Sequence, residues 1–223
     1  MEKISAISIF CAYMILLLMT AGVNKWKPGV TNYTIMEKKN LSLLNGLHIA
    51  GITVIVLSTL ISEQQPVFLL SFPEKISINQ AAAFLAVFGA IGFSPWKKFN
   101  PNTCEIESVS SRGNYQIIFY SCIRSVFLVV YEWFFRGLLL LSFCNWLGND
   151  WGIAINVLLY IMIHIHKRKK EMIGCIPFGI LLAVFTIWWQ SIWPAIIFHL
   201  QIAIVNERPP LQQSFSRQKQ AAL

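Results

Sequence analysis

Glu132 and Arg136 stand four residues apart inside a long apolar stretch. On a helix this spacing puts both side chains on one face, with the acid on the N-terminal side, the better orientation for a pair. Two histidines, His164 and His199, follow in later apolar stretches. Ionisable groups at membrane depth are costly, so each is a functional hypothesis by default. One glutamate and two histidines on three helices can do three kinds of chemistry. They can activate a water for hydrolysis, bind zinc, or pass protons through a carrier. The spacing leaves these open, together with a plainer reading in which Glu132 and Arg136 neutralise each other and only join helices. Arg124, eight residues before Glu132, faces the same polar region or snorkels to the surface. His166 sits with the basic run Lys167–Lys170, and His48 carries no spacing signal.

The elements that must position these groups are hydrophobic spans. The chain has 223 residues, 56% of them apolar and 13% charged, with a mean hydropathy of +0.58. Soluble domains are about 45–50% apolar and about 25% charged. So few charges cannot coat a soluble particle of this size. The net charge of +8 is scattered between apolar spans rather than gathered on one face, which argues against nucleic acid as a partner. The five cysteines show no CxxC spacing and read as small buried hydrophobes.

A spanning helix needs about 20 apolar residues. Seven stretches qualify by composition: Ile4–Val23, Leu43–Ser62, Ile78–Trp96, Ile117–Trp146, Trp151–His166, Met172–Trp189 and Ile192–Asn206. The fourth is overlong and must be tilted, partly interfacial or broken. The last two are joined by Gln190-Ser191 alone, a tight hairpin with Trp188, Trp189, Trp193 and Pro194 around the turn. With the N-terminus outside, the inner loops and tail hold Lys25, Lys27, Lys38, Lys39, Lys97, Lys98, Arg112, Lys167, Arg168, Lys169, Lys170, Arg208, Arg217 and Lys219. Only Lys3 and Lys75 fall outside, so the positive-inside rule supports seven spans and a cytoplasmic C-terminus. Met1-Glu2-Lys3 is a weak n-region, so the first span is expected to be retained rather than cleaved. The polar tail Gln212–Leu223 is expected to be disordered. No inverted repeat supports a transporter.

The polar residues also carry a resemblance. Glu132-Trp-Phe-Phe-Arg136-Gly137 resembles the Glu-Glu-x-x-x-Arg signature of the CPBP family, the CAAX-processing and bacteriocin-processing intramembrane proteases also called the Abi family. Tyr160-Ile-Met-Ile-His164 resembles the family's Phe-x-x-x-His, and His199-Leu-Gln-Ile-Ala203 its His-x-x-x-Asn. The resemblance covers about residues 115–206. It implies a water activated by the first Glu and the second-motif His, an oxyanion held by the third-motif His and Asn, and a structural Arg. Two positions depart from the pattern: Tyr131 replaces the first Glu and Ala203 replaces the Asn. An unperturbed phenol, with a pKa near 10, is no ready base at neutral pH. Glu132 lies about 100° further around a regular helix, so its carboxylate points elsewhere unless the helix is locally distorted.

The sequence thus predicts an all-α polytopic membrane bundle of about seven transmembrane helices. Residues 1–114 hold three spans, 115–206 a four-span CPBP-like core and 207–223 a cytoplasmic tail. The resemblance implies a glutamic-type intramembrane endopeptidase acting on a peptide or prenylated tail at the cytoplasmic side. The alternative is an inactive pseudoprotease serving as a membrane binding or immunity protein. The expected catalytic residues are Glu132, His164 and His199, with Arg136 as structural ion partner and Tyr131 and Ala203 at the departed positions. No cofactor or metal is expected, with zinc left open. The expected partners are the lipid bilayer and a peptide or protein substrate or ligand, in a bacterial plasma membrane.

Overall fold

A computed structural model describes residues 2–26, 38–62, 66–73, 75–93, 112–165 and 169–205. Every regular element among them is helical. In chain order these are α1 (Glu2–Trp26), α2 (Lys38–Ile61), a 3₁₀ turn (Val67–Leu70), α3 (Ile78–Phe93) and α4 (Arg112–Glu132). A π-helical segment (Trp133–Leu139) and α5 (Leu140–Leu147) continue α4 without a break. Then come α6 (Asn149–Ile163), α7 (Lys169–Trp189) and α8 (Trp193–Val205). The tail 207–223, His166 and Cys104 lie outside the described residues.

Three stretches are long and apolar enough to cross a membrane: Ser42–Ile61, Ile118–Leu147 and Met172–Trp189. Ala6–Gly22, Ile78–Phe93, Asn149–Ile163 and Trp193–Val205 are shorter apolar helices. Their outer faces carry large exposed apolar side chains such as Phe10, Leu60, Leu85, Ile118 and Ile173. A surface this apolar is unfavourable in water and suits lipid. The helix is also the one open-chain way to satisfy the backbone there.

The overlong span stays one continuous helix but is locally rewound by the π segment. At the end of the π segment the Leu140 N–H reaches the Phe135 carbonyl, five residues back. Such bulges are rare inside α-helices and favour functional sites. Gly148 then turns the chain between α5 and α6 at φ 82 and ψ 167, a region open essentially only to glycine. Just beyond, α6 crosses α5 so closely that a Cβ on Gly152 would lie 2.7 Å from the Cys144 backbone nitrogen. Small residues permit this approach of backbones in a membrane bundle.

Two large packed regions hold the helices together, with a third around Leu69, Ile192 and Ile196. In the larger, Ile9, Tyr13 and Leu16 of α1 and Ile55 of α2 meet Tyr131, Phe134 and Phe135, and then Tyr160 and Cys175 from α6 and α7. The Tyr13 hydroxyl donates to the Leu159 carbonyl (3.1 Å), fastening α1 to α6. In the smaller, Phe84 of α3 stacks on Phe198 of α8 at 4.8 Å between centroids, with Leu182 and Phe185 of α7 beside them. The α7–α8 turn is as tight as the sequence suggests, with Gln190 at φ 49.

Candidate functional site

Glu132 is the last residue before the π segment, and its carboxylate is fully buried. One oxygen, Oε1, accepts from His199 Nδ1 at 2.5 Å. The other, Oε2, lies 3.3 Å from Arg136 Nε, one turn on. The second contact is an ion pair by distance but lacks hydrogen-bond alignment, so both atoms remain without a hydrogen-bond partner. The carboxylate is therefore held by two groups of different kind: an aligned imidazole from α8 and a guanidinium from its own helix.

Arg136, also fully buried, is held from α6. Its Nη1 donates to Asn156 Oδ1, and Asn156 Nδ2 donates to the Phe135 carbonyl at 2.7 Å. That carbonyl is the one that accepts the five-residue bond from Leu140. Asn156 thus clamps the bulge and the arginine together. The guanidinium also stands over the Tyr160 ring, 5.2 Å from its centroid, the geometry of a cation–π contact. Asn156 passes unnoticed in a sequence reading because it is one uncharged amide in an apolar run. The signal that could have found it is its spacing, four residues before Tyr160 and eight before His164.

His199 is framed by aromatic rings. Tyr131, Tyr160 and Phe178 each present to it nearly edge-on, at centroid distances of 5.9, 6.4 and 5.9 Å. Because a carboxylate oxygen only accepts, Nδ1 of a neutral His199 carries the proton and Nε2 the lone pair. Tyr131 is buried against Phe135, with 4.4 Å between centroids, and its hydroxyl has no hydrogen-bond partner. Gly179 lets α7 close on this group: a Cβ there would come within 3.3 Å of Tyr160 Cδ1.

The structure brings buried Glu132, Arg136 and Tyr131 together with the partly buried His199 in one group. His164 lies at its edge. It caps the C-terminus of α6, half-buried, with Nδ1 donating to the Tyr160 carbonyl at 2.8 Å. Its ring lies 4.6 Å from the Tyr160 ring, so the two histidines flank that ring. Ala203, one turn beyond His199, is buried and supplies no polar atom. Arg124 donates to the Tyr120 hydroxyl at 2.8 Å. His48 packs between Tyr120 and Phe127, on the α2 side of α4. Among the described residues, no three His, Cys, Asp or Glu side chains are grouped to hold a metal ion.

Serine also has a structural part here. Ser191 Oγ, in the α7–α8 turn, donates to the Ser71 carbonyl at 3.0 Å, and the Ile192 N–H donates to the Leu69 carbonyl at 3.0 Å. These bonds fix the entry of α8 and hence the depth of His199.

No curated protein and no solved structure matches the chain. The helices that build the site, α4 to α8, do match a family model. Residues 113–205 of this integral membrane protein, with the Glu132–Arg136 pair, His164 and His199 among them, are similar to the family model described as type II CAAX prenyl endopeptidase Rce1-like.

Proposed function

We propose that the protein is an intramembrane endopeptidase that cuts a prenylated peptide tail, with Glu132 and His199 as its acid–base pair. The observation that carries this reading is the 2.5 Å contact between Glu132 Oε1 and His199 Nδ1 inside this group. A carboxylate behind Nδ1 fixes the imidazole tautomer, aims Nε2 and stabilises the cation that forms when Nε2 takes a proton.

The steps follow from those atoms. His199 Nε2 takes a proton from a water, and the water oxygen attacks the scissile carbonyl carbon. The carbonyl π electrons move onto oxygen, giving an oxyanion. The Tyr131 hydroxyl, without an internal partner, donates to that oxyanion in place of the amide that Ala203 lacks. The C–N bond then breaks and the leaving nitrogen takes the proton from His199. Arg136, 3.3 Å from Oε2, holds the Glu132 carboxyl group in place. His164 lies at the half-buried edge, where a peptide would enter.

The direction of entry follows from the charges. His164 precedes the basic run Lys167–Lys170, which the positive-inside rule assigns to the cytoplasm. The peptide therefore arrives from the cytoplasmic side of a bacterial plasma membrane, with the N-terminus of the protein outside.

A second reading rests on Tyr131 and Ala203 themselves. With neither the extra glutamate nor the asparagine, the chain keeps the fold and binds a peptide or lipid-linked ligand without cutting it. One assay separates the two. Purified protein in liposomes is given a peptide with a farnesylated cysteine and a quenched fluorophore on the tail. The peptidase reading expects cleavage by the wild type and a loss of about 10²–10⁴-fold in His199→Ala, the usual range for a general base. A silent wild type with cleavage restored by Tyr131→Glu together with Ala203→Asn establishes the second reading.

A further inference from the structure

Between α2 and α3 the chain reads Pro66-Val67-Phe68-Leu69-Leu70-Ser71-Phe72-Pro73, eight residues with one hydroxyl and no charge. It makes one 3₁₀ turn, Val67–Leu70. Leu69 is driven into the bundle beside Ile192, just before α8, and Ile196 of α8, with Val129, Trp133 and Leu141 around them. Its neighbours point the other way: Val67, Phe68, Leu70 and Phe72 are all exposed.

Five successive or near-successive carbonyls of this segment find donors within the protein. The Pro66 carbonyl accepts from Leu69 N–H, and the Phe68 carbonyl from Ser71 N–H. The Leu69 carbonyl accepts from Ile192 N–H, and the Leu70 carbonyl from Trp193 Nε1 at 2.7 Å. The Ser71 carbonyl accepts from Ser191 Oγ. Both flanking residues are prolines and bring no N–H. A solvent loop has no need of such bonding, because water would serve. In hydrocarbon, irregular backbone is tolerated only when protein supplies its partners.

The segment is also recessed. A Cβ on Gly137 would touch Pro66 at 3.4 Å. Gly137 lies ten residues before Leu147, the end of α5, and its neighbour Arg136 meets Asn156, seven residues past the start of α6. At the helical rise this sets Pro66 about 10–15 Å below the α5–α6 turn. Trp146 and Trp151, both exposed, flank that turn, as aromatic residues do at a membrane interface.

We propose that residues 66–73 form a re-entrant membrane segment whose partner is the acyl chains of one leaflet. Val67, Phe68 and Phe72 face the lipid, Leu69 plugs the bundle, and Phe72 stacked on Trp193 (4.8 Å, 5° between planes) ties the segment to the head of α8. The seating does not depend on whether Glu132 and His199 hydrolyse anything.

The test uses the full chain in liposomes with its five cysteines changed to alanine and one nitroxide per variant, at Val67→Cys, Phe68→Cys or Asp150→Cys. At positions 67 and 68, collisions with oxygen, which concentrates in the acyl region, should exceed those with a water-soluble nickel chelate. At 150, on the hairpin tip, the ratio should reverse. Nickel-dominated relaxation at 67 and 68, matching 150, overturns the proposal. A second measurement leaves the segment unlabelled. In liposomes brominated at mid-chain, the emission lost between wild type and Trp193→Phe should be strongly quenched. Quenching by headgroup-proximal bromines alone would equally refute the seating.

Discussion

Replacing Asn156 with leucine removes the clamp on the π segment while keeping the branched side-chain skeleton. Two buried groups lose a partner: Arg136 Nη1 and the Phe135 carbonyl. An orphaned buried polar group costs about 1–3 kcal/mol. The Phe135 carbonyl keeps the Leu140 N–H, so its loss belongs at the low end. Arg136 keeps only the misaligned ion pair with Glu132 and the Tyr160 face, so its loss is the larger. Hydrogen bonds between membrane helices measure about 0.6 kcal/mol on average and reach about 1.7, which holds the total down. We expect about 2 kcal/mol, roughly 30-fold in the unfolding equilibrium. Reversible unfolding in mixed detergent–lipid micelles measures it. A double-mutant cycle of Asn156→Leu with Arg136→Met should show coupling of about 1 kcal/mol, as contacting residues do. An Asn156→Leu protein as stable as wild type, with no coupling to Arg136, would refute the clamp.

Arg136→Met alone strands a buried carboxylate and should cost about 3–5 kcal/mol in the same unfolding assay. Gly152→Leu forces a side chain into the Cys144 backbone, so a loss of about 1–3 kcal/mol is expected from overpacking. Tyr131→Phe removes a hydroxyl with no internal partner. Stability should hold, while peptide cleavage in liposomes should fall by about 10²–10³, the usual effect of losing one oxyanion donor. His164→Ala should reduce cleavage less than His199→Ala, because His199 Nδ1 contacts the Glu132 carboxylate while His164 Nδ1 is bonded to the Tyr160 carbonyl of its own helix.

The spans were legible because their signal is local. Apolar runs placed the helices within a few residues, and Gln190-Ser191 marked a hairpin whose backbone does turn there. The excess length of the span from residue 117 to 146 was legible as tilt, interfacial burial or a break. The continuous helix with a π segment was not, because that segment is held by Asn156, twenty residues away on another helix. Tyr131 and Glu132 both precede the π segment, where regular helix points them in different directions, yet both are buried and both reach His199, which the sequence spacing did not show. The segment 66–73 was hidden for another reason. Short, apolar and bounded by prolines, it reads as a loop until the donors at the α7–α8 turn and the head of α8 are seen beneath it.

The arrangement most in need of a direct test is the Glu132–His199 contact. The chain holds only four histidines, so protein labelled with ¹⁵N-histidine in lipid bilayers resolves them by nitrogen NMR. His199, assigned by its loss in His199→Gln, should carry its proton on Nδ1, strongly deshielded by the carboxylate, with Nε2 unprotonated. In Glu132→Ala the deshielded proton should vanish and the tautomers mix. A His199 protonated on Nε2 in the wild type, unchanged by loss of Glu132, would contradict the account.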